Sequence, residues 1–232
     1  MYYHRPAEDR GRADFGWLDS KHSFSFGSYY DPKHMGLSAL RVINDDIVDP
    51  GAGFGSHGHQ DMEIISYVLE GAIEHKDSMG NSYIVPAGDV QRMSAGTGVT
   101  HSEFNHSNTE SLRFLQIWIQ PNVKGSAPSY EQKQVVQLEN LTPLITPNGA
   151  GNSLSIQQDA SMFRLELGAN ESIELSTLER PGYLHVIEGD VNTAEYSLKN
   201  GDALGAYQET LLLNGGNEGV IALWFDLPAI SV

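Results

Sequence analysis

The chain contains no cysteine, which excludes a disulfide scaffold, thiolate ligation of a metal and a cysteine nucleophile. Basic residues are scarce: 14 Lys and Arg stand against 30 Asp and Glu, for a formal charge of −16. A phosphate backbone is held by clusters of Lys and Arg, so direct binding of nucleic acid is not expected. No run approaches the ~18 apolar residues of a membrane span, and no membrane partner is expected either. The opening residues, MYYHRPAEDRGRADFGW, are charged and lack the apolar stretch of a secretory signal. That points to the cytoplasm, with which the missing cysteine is merely compatible. Histidine is also sparse, with nine in 232 residues.

Glycine is abundant instead, with 24 Gly and 10 Pro, which favours short strands and tight turns over long helices. From Glu63 the pattern is regular. EIISYVLE ends at Gly71, AIEH runs into the polar turn KDSMGN, SYIV stops at PAGD, and VQRMS, VTHSEF and LRFLQIWI follow. Strands of four to eight residues at this spacing predict an antiparallel sandwich or barrel. PNVKGSAPSY (121–130) reads as a connector. Beyond it β-type runs resume, and YLHVIEGDV (183–191) echoes SYVLEGAI (66–73). The expectation is an all-β chain of two units related by duplication, with residues 1–120 as the first, 121–134 as linker and 135–232 as the second. Eight of the nine histidines lie at or before His106, so any histidine chemistry belongs to the first unit.

Two doublets stand out there: His57/His59 in HGHQDMEIISYVLEG and His101/Glu103 in THSEFN. Residues i and i+2 share one face of a strand, and neighbouring strands lie about 4.8 Å apart. Two such doublets on adjacent strands would make a four-cornered cluster. Three neutral imidazoles and a carboxylate suit a divalent transition metal such as Fe, Mn, Ni, Cu, Co or Zn, with open positions left on a six-coordinate ion. Chance gives roughly 0.3 H-x-H spacings in such a chain, so the weight rests on the second doublet rather than the first alone.

The same stretches resemble the cupins, small β-barrels with an internal metal. HGHQDMEIISYVLEG is followed by GNSYIVPAGDVQ, which keeps Gly80, Pro86 and Gly88 of the second cupin motif. Two usual ligand positions are lost: Ile64 stands where many cupins carry Glu, and Gln91 where they carry His. MSAGTGVTHSEFN (93–105) supplies His101 and Glu103 instead, an arrangement similar to that of the pirin family. GWLDSKHSFSFGSYYDP (16–32), LRVINDD (40–46), GFGSHGHQDMEI (53–64) and EHKDSMGN (74–81) resemble pirins too. The resemblance implies two tandem cupin jelly-roll barrels, the second without a metal. It implies one iron-type metal, Fe(II) first, held by His57, His59, His101 and Glu103. It also implies a quercetin 2,3-dioxygenase activity acting with O2 on a flavonol or another chelating enol or phenol, with Glu103 doubling as general base. The alternative it carries is a non-enzymatic, redox-dependent regulator that binds a protein partner; a metal-dependent isomerase or hydrolase is the third reading. A monomer is expected.

Other residues are given bland roles. His75 reads as structural or solvated, His106 as exposed, and His185 as a core or surface histidine. His22 and His34, in an aromatic segment that covers the barrel mouth, receive no catalytic role. Glu63 completes an H-x-H-x3-E string, but its strand parity turns it away.

Overall fold

The structure, a computed structural model, describes residues 1–229 and is all-β apart from two 3-10 turns. The front half runs β1 (Tyr2–Arg5), β2 (Gly11–Asp14), β3 (Leu18–His22), β4 (Leu40–Val48), β5 (Gly53–His59) and β6 (Glu63–Glu70). It continues with β7 (Ala72–Asp77), β8 (Ser82–Pro86), β9 (Asp89–Ser94), β10 (Val99–Asn105), β11 (Leu112–Ile119) and β12 (Ser129–Gln134). The back half runs β13 (Leu141–Thr146), β14 (Leu154–Ser155), β15 (Ser161–Leu167) and β16 (Ser172–Ser176). It closes with β17 (Gly182–Asn192), β18 (Ser197–Lys199), β19 (Ala203–Ala206) and β20 (Thr210–Asp226).

In the front barrel a seven-stranded sheet, β12-β9-β6-β11-β4-β3-β2, packs on a four-stranded sheet, β5-β10-β7-β8. One apolar cluster joins them, with Leu18, Val48 and Phe114 from the first sheet and Ile73 and Val85 from the second. Period-2 burial is clear where one strand face meets the interior. In β3, Leu18, Ser20 and His22 are buried between half-buried neighbours; in β10, Val99, His101, Glu103 and Asn105 are buried while Thr100 and Phe104 between them are exposed. The back barrel is built from one sheet, β1-β19-β17-β20-β15-β13-β14, with β16 on β20 and β18 on β17. These are the two tandem barrels expected.

The expected domain limits need correction. β1, placed in the first unit by the sequence, joins the back sheet through β19, with Tyr2 opposite Ala206. β12, inside the expected linker, extends the front sheet beside β9, with Ser129 opposite Ser94. The chain passes from the front sheet to the back one through residues 135–140, while 120–128 only joins β11 to β12 within the front sheet. Each strand covers a sheet edge whose N–H and C=O groups would otherwise go unpaired. A single core also spans both halves, holding Ile43, Ile65 and Ile117 with Met162, Tyr183 and Phe225. Arg92, nearly buried, bridges the same junction: it donates to the Ser155 carbonyl at 2.7 Å and pairs with Glu131 at 2.6 Å.

Candidate metal centre

β10 lies between β5 and β7, and its register decides which side chains meet. His101 stands opposite His57, and Val99 opposite His59, on the β5 side; His101 faces Asp77 and Glu103 faces His75 on the β7 side. Between His101 and Glu103 the β5 register slips, because Glu103 pairs with Phe54. Gly55 and Ser56 therefore oppose the single residue Ser102, a β-bulge that re-aims the side chains beside it. The bulge places the Gly55 carbonyl 2.8 Å from His57 Nδ1. A carbonyl only accepts, so Nδ1 carries the proton and Nε2 keeps its lone pair. Gly53 allows the close approach: a Cβ there would lie 2.4 Å from the Glu103 carbonyl oxygen.

Three imidazoles converge. His101 Nε2 lies 3.1 Å from Nε2 of His57 and 3.1 Å from Nε2 of His59. Burial, then the neighbouring His57 and His75, pushes His101 down to about 3; burial, then His101 and His57, pushes His59 down to about 4. Both rings are therefore neutral at pH 7, with lone pairs to give. Lone pairs aimed together at this range repel unless a proton or a cation lies between them, and one N–H satisfies only one pair. The donor set fits a divalent transition metal.

Glu103 sits in an adjoining cluster. Ligand atoms of His57, His59 and His101 lie within 4.8 Å of one another, and so do those of His75, His101 and Glu103. His101 is common to both, and the expected four-residue constellation is seen as three imidazoles with the carboxylate reached through His101. Glu103 Oε1 accepts from Gln91 Nε2, and from Ser66 Oγ at 3.0 Å. Gln91, which stands where many cupins carry a histidine, thus holds the Glu103 carboxylate. Tyr130 Oη donates to Gln91 Oε1 at 2.9 Å and fixes its orientation.

His75 is fully buried rather than solvated: its Nε2 donates to Asp77 at 3.1 Å, and its Nδ1 has no partner among the described residues. Glu63 lies outside both clusters and accepts from Ser94 Oγ at 2.7 Å, as parity predicts. His106 is exposed beside Glu74, His34 hydrogen-bonds Tyr3, and His185 is a core histidine of the back barrel. His22 does not lie over the mouth; it is buried in the barrel wall.

Beside the histidine cluster opens a cavity of about 430 Å³. His57 and His59 line one end, and Trp17, Phe26, Phe54 and Trp118 give it aromatic walls. Sequence reasoning did not reach its polar lining, Ser20, Asn44, Asp46 and Gln116. Inward parity along β3 and β4 was the available signal, obscured because these positions look like ordinary polar strand residues.

Known proteins match this chain along nearly its whole length. A sequence model of the family described as Pirin matches residues 4–119, and one described as Quercetinase C-terminal cupin domain matches residues 144–227. A protein of Escherichia coli (strain K12) named quercetin 2,3-dioxygenase is 45% identical over 231 residues, covering 99% of this chain and 100% of that protein. A pirin-like protein of Caulobacter vibrioides is 41% identical over 217 residues, covering 91% and 93%. Among solved structures, YhhW from Escherichia coli matches with a TM-score of 0.96 at 44% identity over 100% of both chains. The bacterial pirin YhhW in complex with nickel(II) matches with a TM-score of 0.94 at 44% identity, covering 99% of this chain and 100% of that one.

Proposed function

This chain belongs to the pirin family, and from that premise we propose that it is a metal-dependent dioxygenase of the quercetin 2,3-dioxygenase type, cleaving flavonols with O2. The observation that carries the reading is the convergence of three neutral imidazole nitrogens at the end of an aromatic-walled cavity. The relatives named for this activity, at 45% identity over nearly the whole chain, support it. We assign His57, His59, His101 and Glu103 as the ligands of one divalent ion. Fe(II) is our choice, and the same donors suit the nickel(II) of the Escherichia coli complex.

When bound, the metal supplies a Lewis-acid anchor for the flavonol oxygens and a route for electrons to O2. The chain supplies the rest. Trp17, Phe26, Phe54 and Trp118 present ring faces and edges to a planar aromatic ligand and exclude water from it. Glu103, with Oε1 held by Gln91 and Ser66, accepts the proton of the flavonol 3-hydroxyl. The electron-rich flavonolate then reacts with O2, the central ring opens, and carbon monoxide leaves.

An oxygen-electrode assay on metal-loaded protein with quercetin tests this. The expected result is O2 uptake matched by carbon monoxide release. Conversion of quercetin without O2 uptake, or no conversion by fully loaded protein, overturns it.

A further inference from the structure

Four polar side chains form a block on the inner face of the seven-stranded sheet. Ser20 and His22 alternate inward along β3, Asn44 and Asp46 along β4, and the register sets Ser20 opposite Asp46 and His22 opposite Asn44. Each is at most 3% exposed, and all four line the cavity that reaches His57 and His59. The next pair in the same alternation, Leu18 and Val48, is apolar, as a barrel interior favours. Packing alone gives no reason for the polar block, because buried polar groups cost stability unless they are hydrogen-bonded.

The hydrogen bonds run as a chain with a free end. Ser20 Oγ donates to Asp46 Oδ1, and the Ser20 oxygen accepts from His22 Nε2–H at 2.8 Å. His22 Nδ1 then carries a lone pair, buried and without a partner among the described residues, and Asn44 Oδ1 opposite it is in the same state. An aromatic wall links this free end to the histidine cluster. Phe26 lies edge-on to His22 at 5.4 Å and to Trp118 at 5.2 Å, and Trp118 lies edge-on to His59 at 5.0 Å.

We propose that Ser20, His22 and Asp46 form a proton relay serving a second hydroxyl of the ligand, distinct from the oxygen at the histidine cluster, so that polyhydroxylated aromatics are preferred over singly hydroxylated ones. The relay rests on the reading of this cavity as the flavonol site. The ligand O–H bond breaks as a bond forms to His22 Nδ1. The Nε2 proton passes to Ser20 Oγ, and the proton Ser20 held passes to Asp46 Oδ1. His22 and Ser20 end with the same number of protons as before, and the aspartate ends neutral. Burial is the main force raising Asp46 to about 7, and the negative charges of Asp45 and Glu103 add to it, so near neutral pH the carboxylate is basic enough to take the proton that the ligand hydroxyl gives up. Burial lowers His22 and keeps its ring neutral between transfers.

The test compares binding of quercetin and 3-hydroxyflavone, without O2, to nickel(II)-loaded protein. The wild type, Ser20→Ala and Asp46→Asn are each measured, with bound nickel per chain as the check on folding. The wild type is expected to bind quercetin about tenfold more tightly than 3-hydroxyflavone, the size of effect of a well-made hydrogen bond. Both variants should bring that ratio towards one by weakening quercetin at least about fivefold more than 3-hydroxyflavone, with nickel content unchanged. They should also lose the red shift that a second ionisation adds to bound quercetin. An unchanged ratio in both variants, or equal weakening of both flavonols, overturns the relay and leaves the flavonol reading standing. Failure of either flavonol to bind the wild type overturns that reading and the relay with it.

Discussion

Glu103 differs from the three histidines in what restrains it: two donors, Gln91 and Ser66, grip one of its oxygens. Glu103→Gln keeps the shape but removes the base, so turnover of quercetin should fall about 100-fold or more even where metal remains bound. Full activity in a metal-loaded Glu103→Gln protein would take the residue out of the base role. Asp46 makes a second prediction at this scale. Its carboxyl is raised to about 7, chiefly by burial, whereas an unfolded Asp titrates near 3.9. The folded chain therefore binds more protons between those values, and the stability linked to Asp46 is lost as pH rises through 7. Asp46→Asn should gain on the wild type by on the order of 1–4 kcal/mol between pH 4 and pH 8, read from urea midpoints. A pH-independent difference between the two would contradict a carboxyl raised by burial.

Among the elements, β5 and β10 carry the site, and their pairing depends on a bulge and on Gly53. Gly53→Ala would press a methyl group onto the Glu103 backbone and push β5 off β10. Nickel(II) affinity should fall by at least tenfold with little loss of secondary structure by circular dichroism; unchanged affinity would show that the close approach does not set the ligand geometry. The doublets were legible in the sequence because i, i+2 spacing on a strand fixes a shared face, and parity also turned Glu63 away. The union of His57 with His101 depended on the register and the bulge, which no local pattern records. β12 escaped notice for a different reason: SYEQKQ is a polar, half-buried edge strand without apolar alternation, adjoining a Pro- and Gly-rich connector. His75 was misleading because its neighbours Glu74 and Lys76 are charged, although alternation sends His75 inward and them outward.

Across the whole molecule the two barrels share their core, and the first strand, β1, crosses to the edge of the back sheet. Metal-free protein should therefore unfold in one cooperative transition, with tryptophan fluorescence and far-ultraviolet circular dichroism tracing the same urea curve. Two separated transitions would mean that the barrels are independent units after all. The all-β class and the two-barrel organisation were readable from strand spacing, whereas the crossing of β1 was not, since it is set by which edges need covering. The account as a whole depends on one cation at the meeting point of β5 and β10. Anomalous diffraction from crystals of the nickel(II)-loaded protein tests that most directly. The expected result is a single peak per chain, within about 2.2 Å of Nε2 of His57, His59 and His101 and of a carboxylate oxygen of Glu103. A peak bound instead through His75, or no peak within reach of the three imidazoles, would contradict it.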